Sequence, residues 1–476
     1  MIRRVVVSIF FSITLNATLE EAREIRASGN HNRTIEAFEK TIDDEPNNAI
    51  AHYEYANYLI DLDRQEYYDK AVHLLSRACS LKNDLQWQFM LGYVTCRYGH
   101  LDLSVATYKK ILEQHPNQLT VLYNLGFTLK CKEHLQEAVA IYRTIIKQNP
   151  DYEAAHLGLA FALIGSGDFK SGWKEHEWNL KKQGKFAPEL RMLVENNTIA
   201  GKSILLMPEG GLGDSINFVR YVQQLKLMGA RTIVAAQPAL MKLFSRCDYI
   251  DQLVSTNAAI SVSFHASATL MSLAPILASK TEYAPLQNIP YIFPDPDHIA
   301  YWREQLKHDT NFKIGICWQP SIHNDVSRLP IARRGIPLAH FFKLGATPGI
   351  TLYSLQRVEG LEQLNSLPSD VHLITFDEHF DKDHGSFMDT AAIMHALDLI
   401  ISADTATAHL AGAMGLPVWL LLPYVTDWRW LSNRSDSPWY PTMRVFKQPK
   451  PFDWNSMMEE LHHVFFNEIF KKGALP

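Results

Sequence analysis

Apolar and polar positions along the chain follow two different rhythms. Through the first third, apolar and small residues recur three and four apart, as in Leu122, Leu125, Gly126 and Leu129, then Ala138, Tyr142 and Ile145, the spacing of helices with one buried face. After Lys202, short apolar runs alternate with amphipathic stretches. Ser203–Met207 reads as a strand, a glycine turn follows, Ile216, Val219, Tyr221, Val222 and Leu225 mark a helix, and Thr232–Ala236 reads as a second strand. The alternation restarts at 312–320 and continues through 349–356, 371–377, a helix in "MDTAAIMHAL", a strand at 398–402, the small-residue helix of "DTATAHLAGAMG" and a last strand in 416–423. The expected fold class is α + α/β: an N-terminal helical region, then two successive parallel α/β units.

Within the helical part, Pro116 and Pro150 stand 34 residues apart, the period of a tetratricopeptide (TPR) repeat. One period before Leu125, Gly126, Tyr142 and Ile145 lie Leu91, Gly92, Tyr108 and Ile111, and Pro46 opens the series with Ala71 and Ala78 in the copy between. Small residues let the two helices of a hairpin approach closely, and each proline stops the second helix. Residues 154–180 read as a divergent last unit with Gly167 at its turn. These patterns predict an apolar N-terminal segment over 1–18, a TPR α-solenoid over 19–183 and a polar connector over 184–200. A first α/β domain over 201–297 and a second over 298–476, with a terminal helix, complete the chain. A solenoid groove suits a peptide or protein, and the plainer alternative is that it only packs on the rest of the chain.

Composition narrows the function classes. With 47% hydrophobic and 20% charged residues the chain reads as globular, and a net charge of −5 supplies no field to draw nucleic acid or an anionic membrane. Five scattered cysteines without a C-x-x-C pair read as reduced thiols, which points to a cytoplasmic location and against a zinc site. The start complicates this: Arg3 and Arg4 precede an apolar run from Val5 to Leu15, similar to the first two regions of a signal peptide. That run is too short to span a bilayer as a helix, so no stable membrane span is expected, and Leu15 stands where a cleavage site needs a small residue. A misassigned start or a segment packed on the first repeat are the alternatives to export.

Two stretches carry candidate chemistry, "GGLGDSINF" and "ISADTATAHL". Glycines 210, 211 and 213 allow a sharp turn and leave helix N–H groups open to an anion or a ligand oxygen. No G-K-[ST] follows and G-x-G-x-x-G is missing, so neither an ATPase nor a dehydrogenase is indicated. Asp214 stands at that helix start, where capping alone would account for an acid. Thr405 and His409, four apart, share a helix face with open N–H groups. Thr405 can donate to a phosphate oxygen, and His409 an imidazole N–H or, if protonated, a charge. Asp404 would repel a diphosphate, so it caps the helix or accepts from sugar or ribose hydroxyls; a cap, a first-turn residue and a core histidine are the plain alternatives for these three. The D-x-D strings at Asp295/Asp297 and Asp381/Asp383 are too short to count as metal–diphosphate motifs. Glu459 to His463 reads as a solvated helix face.

The segment "DTATAHLAGAMGLPVWLLLPYVTDWRWLSNRSDSPWYPTMRVFKQP", with "GGLGDSINFVRY", "LMSLAPIL", "SLQRVEG" and "GWKEHEW" in matching order, resembles bacterial TPR-containing glycosyltransferases. Their catalytic part is similar to the heptosyltransferases of lipopolysaccharide synthesis. The resemblance runs from about 19 to 470 and implies a GT-B architecture of two Rossmann-like domains. It implies an inverting transfer from a nucleotide-sugar to a protein or glycan acceptor that the TPR groove selects, with no cofactor and no metal. On the matching positions, Asp214 is the implied general base, and Arg334, with Arg328 as substitute, neutralises the leaving diphosphate. Gly211, Gly213, Trp318, Gln356, Asp404, Thr405, His409, Asp427 and Arg429 line the implied donor site, and the stretch from Asp427 to Arg444 closes one wall. Arg334-Gly335-Ile336-Pro337 departs from the family's R-S-x-P. A catalytically silent TPR/GT-B adaptor is the alternative from another class.

Overall fold

The computed structural model describes residues 19–470 except 183, 185–186, 260, 281–284, 322–324 and 326–328, so the apolar start and Arg328 lie outside the described residues. Two compact units divide at Ile141/Tyr142, inside one helix. The sequence period groups residues up to 183 together; the compact division instead assigns the last helix pair to the α/β part.

The first unit consists of antiparallel helix pairs: α1 (19–27), α2 (His31–Asp44), α3 (Ala49–Leu62), α4 (Tyr68–Leu81), α5 (Leu85–Arg97), α6 (Leu101–Gln114), α7 (Leu119–Cys131) and the start of α8 (Leu135–Gln148). Local signals start the helices, since Asn48 and Asp84 accept from main-chain N–H groups of the first turns of α3 and α5. The predicted small residues work as expected. A Cβ on Gly92 would stand 2.6 Å from the Tyr108 ring, so only glycine lets α5 and α6 approach this closely.

The second unit opens with the same device, Gly158 of α9 (Glu153–Gly165) against Tyr142, and continues with α10 (Phe169–Lys182) after a turn at Gly167 (φ 89°). The polar connector contains α11 (Pro188–Glu195). Its apolar side buries Leu190 and Val194, too short a pattern to stand out among polar neighbours. Strands β1 (Ser203–Met207), β2 (Arg231–Ala236), β3 (Gln252–Ser255) and β4 (Ala266–Thr269) form a parallel sheet of order β3-β2-β1-β4. Strands β5 (Phe312–Cys317), β6 (Ile350–Ser354), β7 (Leu373–Ile374), β8 (Leu399–Ala403), β9 (Val418–Leu422) and β10 (Met443–Lys447) form a second parallel sheet, β10-β9-β8-β5-β6-β7. Every residue of β6, β8 and β9 is buried, as parallel strands covered on both faces require. One core runs from α10 and α11 through the first sheet to one face of the second, and another packs the terminal helix Trp454–Val464 on the opposite face.

Candidate functional site

Both sheets reverse direction once. In the first, the chain steps outward from β1 to β3 and returns with β4 on the other side of β1; in the second it steps from β5 to β7 and returns with β8 beside β5. Crevices open at the carboxyl ends of parallel strands where the order reverses, and ligands of such sheets bind there. The described candidate residues follow carboxyl ends of strands: beside the reversal points, Gly211, Gly213 and Asp214 after β1, Trp318 and Arg334 after β5, and Asp404, Thr405 and His409 after β8; one strand further out, Gln356 after β6 and Asp427 and Arg429 after β9.

After β1, Gly210 takes φ 77°, and a Cβ there would collide with the Asp214 carboxylate. Asp214 reaches back from the first turn of the helix Leu212–Phe218 and accepts from the Gly211 N–H at 2.7 Å. Its other oxygen accepts from the Arg429 guanidinium, which also donates to Asp427 Oδ1 at 2.8 Å. Arg429 is 7% exposed, lies 4.3 Å from the Trp428 ring centroid, and its carbonyl accepts from Trp439 Nε1 at 2.8 Å. Burial works against its charge, but Asp427 and Asp214 outweigh burial and raise its pKa.

His409 lies in the helix Ala406–Ala413 and touches the β1 side directly, since a Cβ on Gly213 would stand 2.8 Å from its Cδ2. The ring stacks on Trp430 with centroids 5.2 Å apart, and Nδ1 is 2.8 Å from the Tyr440 hydroxyl. Burial, and then the Arg429 charge, push its pKa down to about 3, so the imidazole is neutral. This corrects the expectation that His409 could offer a charge to a phosphate; a neutral N–H is what it has to offer. Asp404 Oδ1 lies 3.8 Å from His409 Nε2, and Asp404 Oδ2 lies 3.8 Å from Arg334 Nη1, which donates to the Asp404 carbonyl at 2.9 Å. Thr405 holds the N-cap position in an extended conformation without a side-chain cap bond, and its hydroxyl lies 3.1 Å from Ser402 Oγ.

Two residues expected at the nucleotide have their polar atoms engaged inside the fold. Gln356 accepts from the N–H groups of Trp318 and Gln319 and donates to the Gln319 carbonyl at 2.8 Å, tying β6 to the chain leaving β5. Trp318 is fully buried, its Nε1 donating to the Gly360 carbonyl at 3.2 Å. Both are corrected to supports of the crevice, because a buried amide and indole must satisfy their own hydrogen bonds first.

Sequence reasoning missed other members. Buried Arg220 donates to the Trp439 carbonyl at 2.7 Å and to the Tyr291 hydroxyl at 2.7 Å, bracing the segment after β9 that holds Tyr440 and thus His409. Its signal was an arginine inside the apolar run "INFVRYV". Trp428 stacks on Phe161 of α9 (5.6 Å) and meets Trp173 of α10 edge-on (5.6 Å), so the last helix pair forms part of the wall. His176 of α10 is buried as well; burial, followed by the Arg429 charge, depresses its pKa to about 4. A hollow of about 300 Å³ lined by Glu189, Met192, Leu193, Asn196, Thr198, Lys202 and His265 lies at the amino ends of β1 and β4, away from this cluster.

Residues 132–172 match the tetratricopeptide repeat family. With the helix pairs above, this repeat lies in a TPR-like helical N-terminal region that is followed by a parallel-sheet α/β region. Over 321 residues the chain is 25% identical to the protein FlbA of Caulobacter vibrioides, a stretch of 63% of this chain, and it spans about half (52%) of that relative's length. The structure of the MamA protein is similar at 17% identity over 36% of this chain and 93% of its own, with a TM-score of 0.32. YrrB, described as a TPR protein with an unusual peptide-binding site, is similar at 16% identity over 35% of this chain and 85% of its own, with a TM-score of 0.30. Among the described residues, no helix is long and apolar enough to cross a membrane.

Proposed function

We propose that this chain is a glycosyltransferase of GT-B architecture that moves a sugar from a nucleotide-sugar donor to a protein or glycan acceptor. One observation carries the proposal: the reversal points of both parallel sheets converge, and two strings of polar side chains, Asp214 with Arg429 and the neutral His409 with Asp404 and Arg334, fill that convergence. The donor's diphosphate sits by Arg334 and the N-terminus of Ala406–Ala413, where unpaired N–H groups, the Thr405 hydroxyl and a cation favour anions. The acceptor hydroxyl attacks the anomeric carbon, the carbon–oxygen bond to the diphosphate breaks, and the hydroxyl proton passes to the Asp214 carboxylate. The nucleoside diphosphate leaves with its new charge beside Arg334. For Asp214 to take that proton it must loosen from Arg429, and Asp427 keeps the guanidinium paired while it does. The step is a single inverting displacement without a covalent intermediate, a metal or a bound cofactor.

The repeats select the acceptor, and within the second unit Phe161 of α9 and Trp173 of α10 support the wall at Trp428. Nucleotide-sugars are supplied in the cytoplasm, where this activity is placed. A silent adaptor has one observation in its favour: Asp214, Arg429 and His409 are all already engaged within the protein. A thermal-shift screen over nucleoside diphosphates and nucleotide-sugars separates the two. A ligand at about 100 times its Kd adds nearly 3 kcal/mol of stability, and an adaptor gives no shift with any of them.

A further inference from the structure

Outside the crevice, two imidazoles converge on one buried carboxylate. His298 lies in the helix Pro296–Leu306, which starts the passage from the first sheet to the second, while His384 precedes the helix Met388–Met394 that carries Asp389. His298 Nε2 lies 2.7 Å from Asp389 Oδ1, and His384 Nδ1 lies 3.2 Å from Asp389 Oδ2. One ligand atom from each of the three falls within 4.8 Å of the others.

We propose that His298, His384 and Asp389 form a binding site for a divalent transition metal of the zinc class. Zinc holds imidazole nitrogen and carboxylate oxygen at about 2.0–2.2 Å in a tetrahedron, so its ligand atoms stand roughly 3.3 Å apart, within small side-chain rotations of the present spacing. Around the carboxylate, supporting donors are already in place: Trp302 Nε1 donates to Asp389 Oδ1 at 3.0 Å and the Asp381 N–H to Oδ2 at 2.8 Å. Such outer partners fix the orientation of a ligating carboxylate. On the other side, Lys242 Nζ donates to the His384 carbonyl at 2.8 Å and holds the turn that presents the ring. The His384 side chain is 57% exposed against 3% for Asp389, which leaves an entry path and a fourth position for water. The metal clips the passage between the sheets to the second sheet's layer and takes no part in sugar transfer.

The test uses the untagged full chain, stripped with a chelator and dialysed, then titrated with zinc chloride by calorimetry, with cobalt(II) absorbance as a readout of tetrahedral coordination. The wild type is expected to bind one more zinc than His384→Ala, to raise its denaturation temperature with zinc where that variant does not, and to give a tetrahedral cobalt spectrum. Trp302→Phe is expected to weaken binding by about 10-fold or more while keeping the stoichiometry. His384 is exposed, so its variant folds. Equal stoichiometry and equal thermal response of wild type and His384→Ala, including no binding by either, would overturn the site.

Discussion

Arg429 is the residue on which the candidate site turns, a buried guanidinium shared by two carboxylates from different parts of the chain. Its position sets what happens when Asp214 is changed. Asp214→Asn can still accept from the Gly211 N–H, but it leaves Arg429 with one charged partner, so a loss of about 1–3 kcal/mol in stability is expected alongside loss of transfer. Calorimetric melting measures the first effect, and turnover well below the melting range measures the second, expected to fall about 10²–10⁴-fold with donor affinity nearly intact. Asp214 as a plain helix cap would leave turnover unchanged. His409 predicts a pH dependence. Its folded pKa of about 3 lies below the ordinary value of 6.5, so the unfolded chain binds the proton more readily between these values. The stability contributed by the neutral ring is complete above pH 6.5 and is lost as pH falls toward 3, by about 1.4 kcal/mol per pH unit. His409→Gln should lose less stability than the wild type between pH 6.5 and 4; parallel curves would mean the ring titrates normally. At this scale the residue types and their places after strands were legible. Their partners were not, because Arg429 meets Asp214 across more than two hundred residues of chain.

Among the elements, the packing of the helix Leu212–Phe218 against Ala406–Ala413 brings the β1 and β8 ends together, with Gly213 set against Ala406 and His409. Gly213→Ala places a methyl 2.8 Å from a ring held by Tyr440 and Trp430, so a loss of about 1–3 kcal/mol and a weaker ligand response are expected by thermal denaturation. An alanine variant as stable as the parent would show that the helices can separate freely. Strands with long apolar runs, β1, β8 and β9, were readable from the sequence because parallel strands covered on both faces need them. Strands β3 and β4 escaped notice, since "QLVS" and "ASAT" are four residues long and half polar. β7 is shorter than its run at 371–377 because only Leu373 and Ile374 pair, with β6. The close-packed Gly92 was legible through its 34-residue recurrence with Gly126, a signal that compares copies as no single strand can.

For the whole molecule, the compact division inside α8 changes where the chain can be cut. Removal of residues 1–134 should leave a folded protein, whereas removal of 1–183 strips Phe161 and Trp173 from Trp428 and exposes that face. Solubility and near-ultraviolet circular dichroism of the two truncates check this, and equal behaviour would separate α9 and α10 from the crevice. The measurement that bears most directly on the central claim is release of nucleoside diphosphate from a panel of nucleotide-sugars by the intact chain, with Arg334→Ala run beside it. At least one donor should release its nucleoside diphosphate faster than in buffer, and Arg334→Ala should reduce that rate at least about tenfold through lost stabilisation of the leaving group. No release from any donor by the folded wild type, or equal release by the variant, would contradict a transfer site at the meeting point of the two sheets.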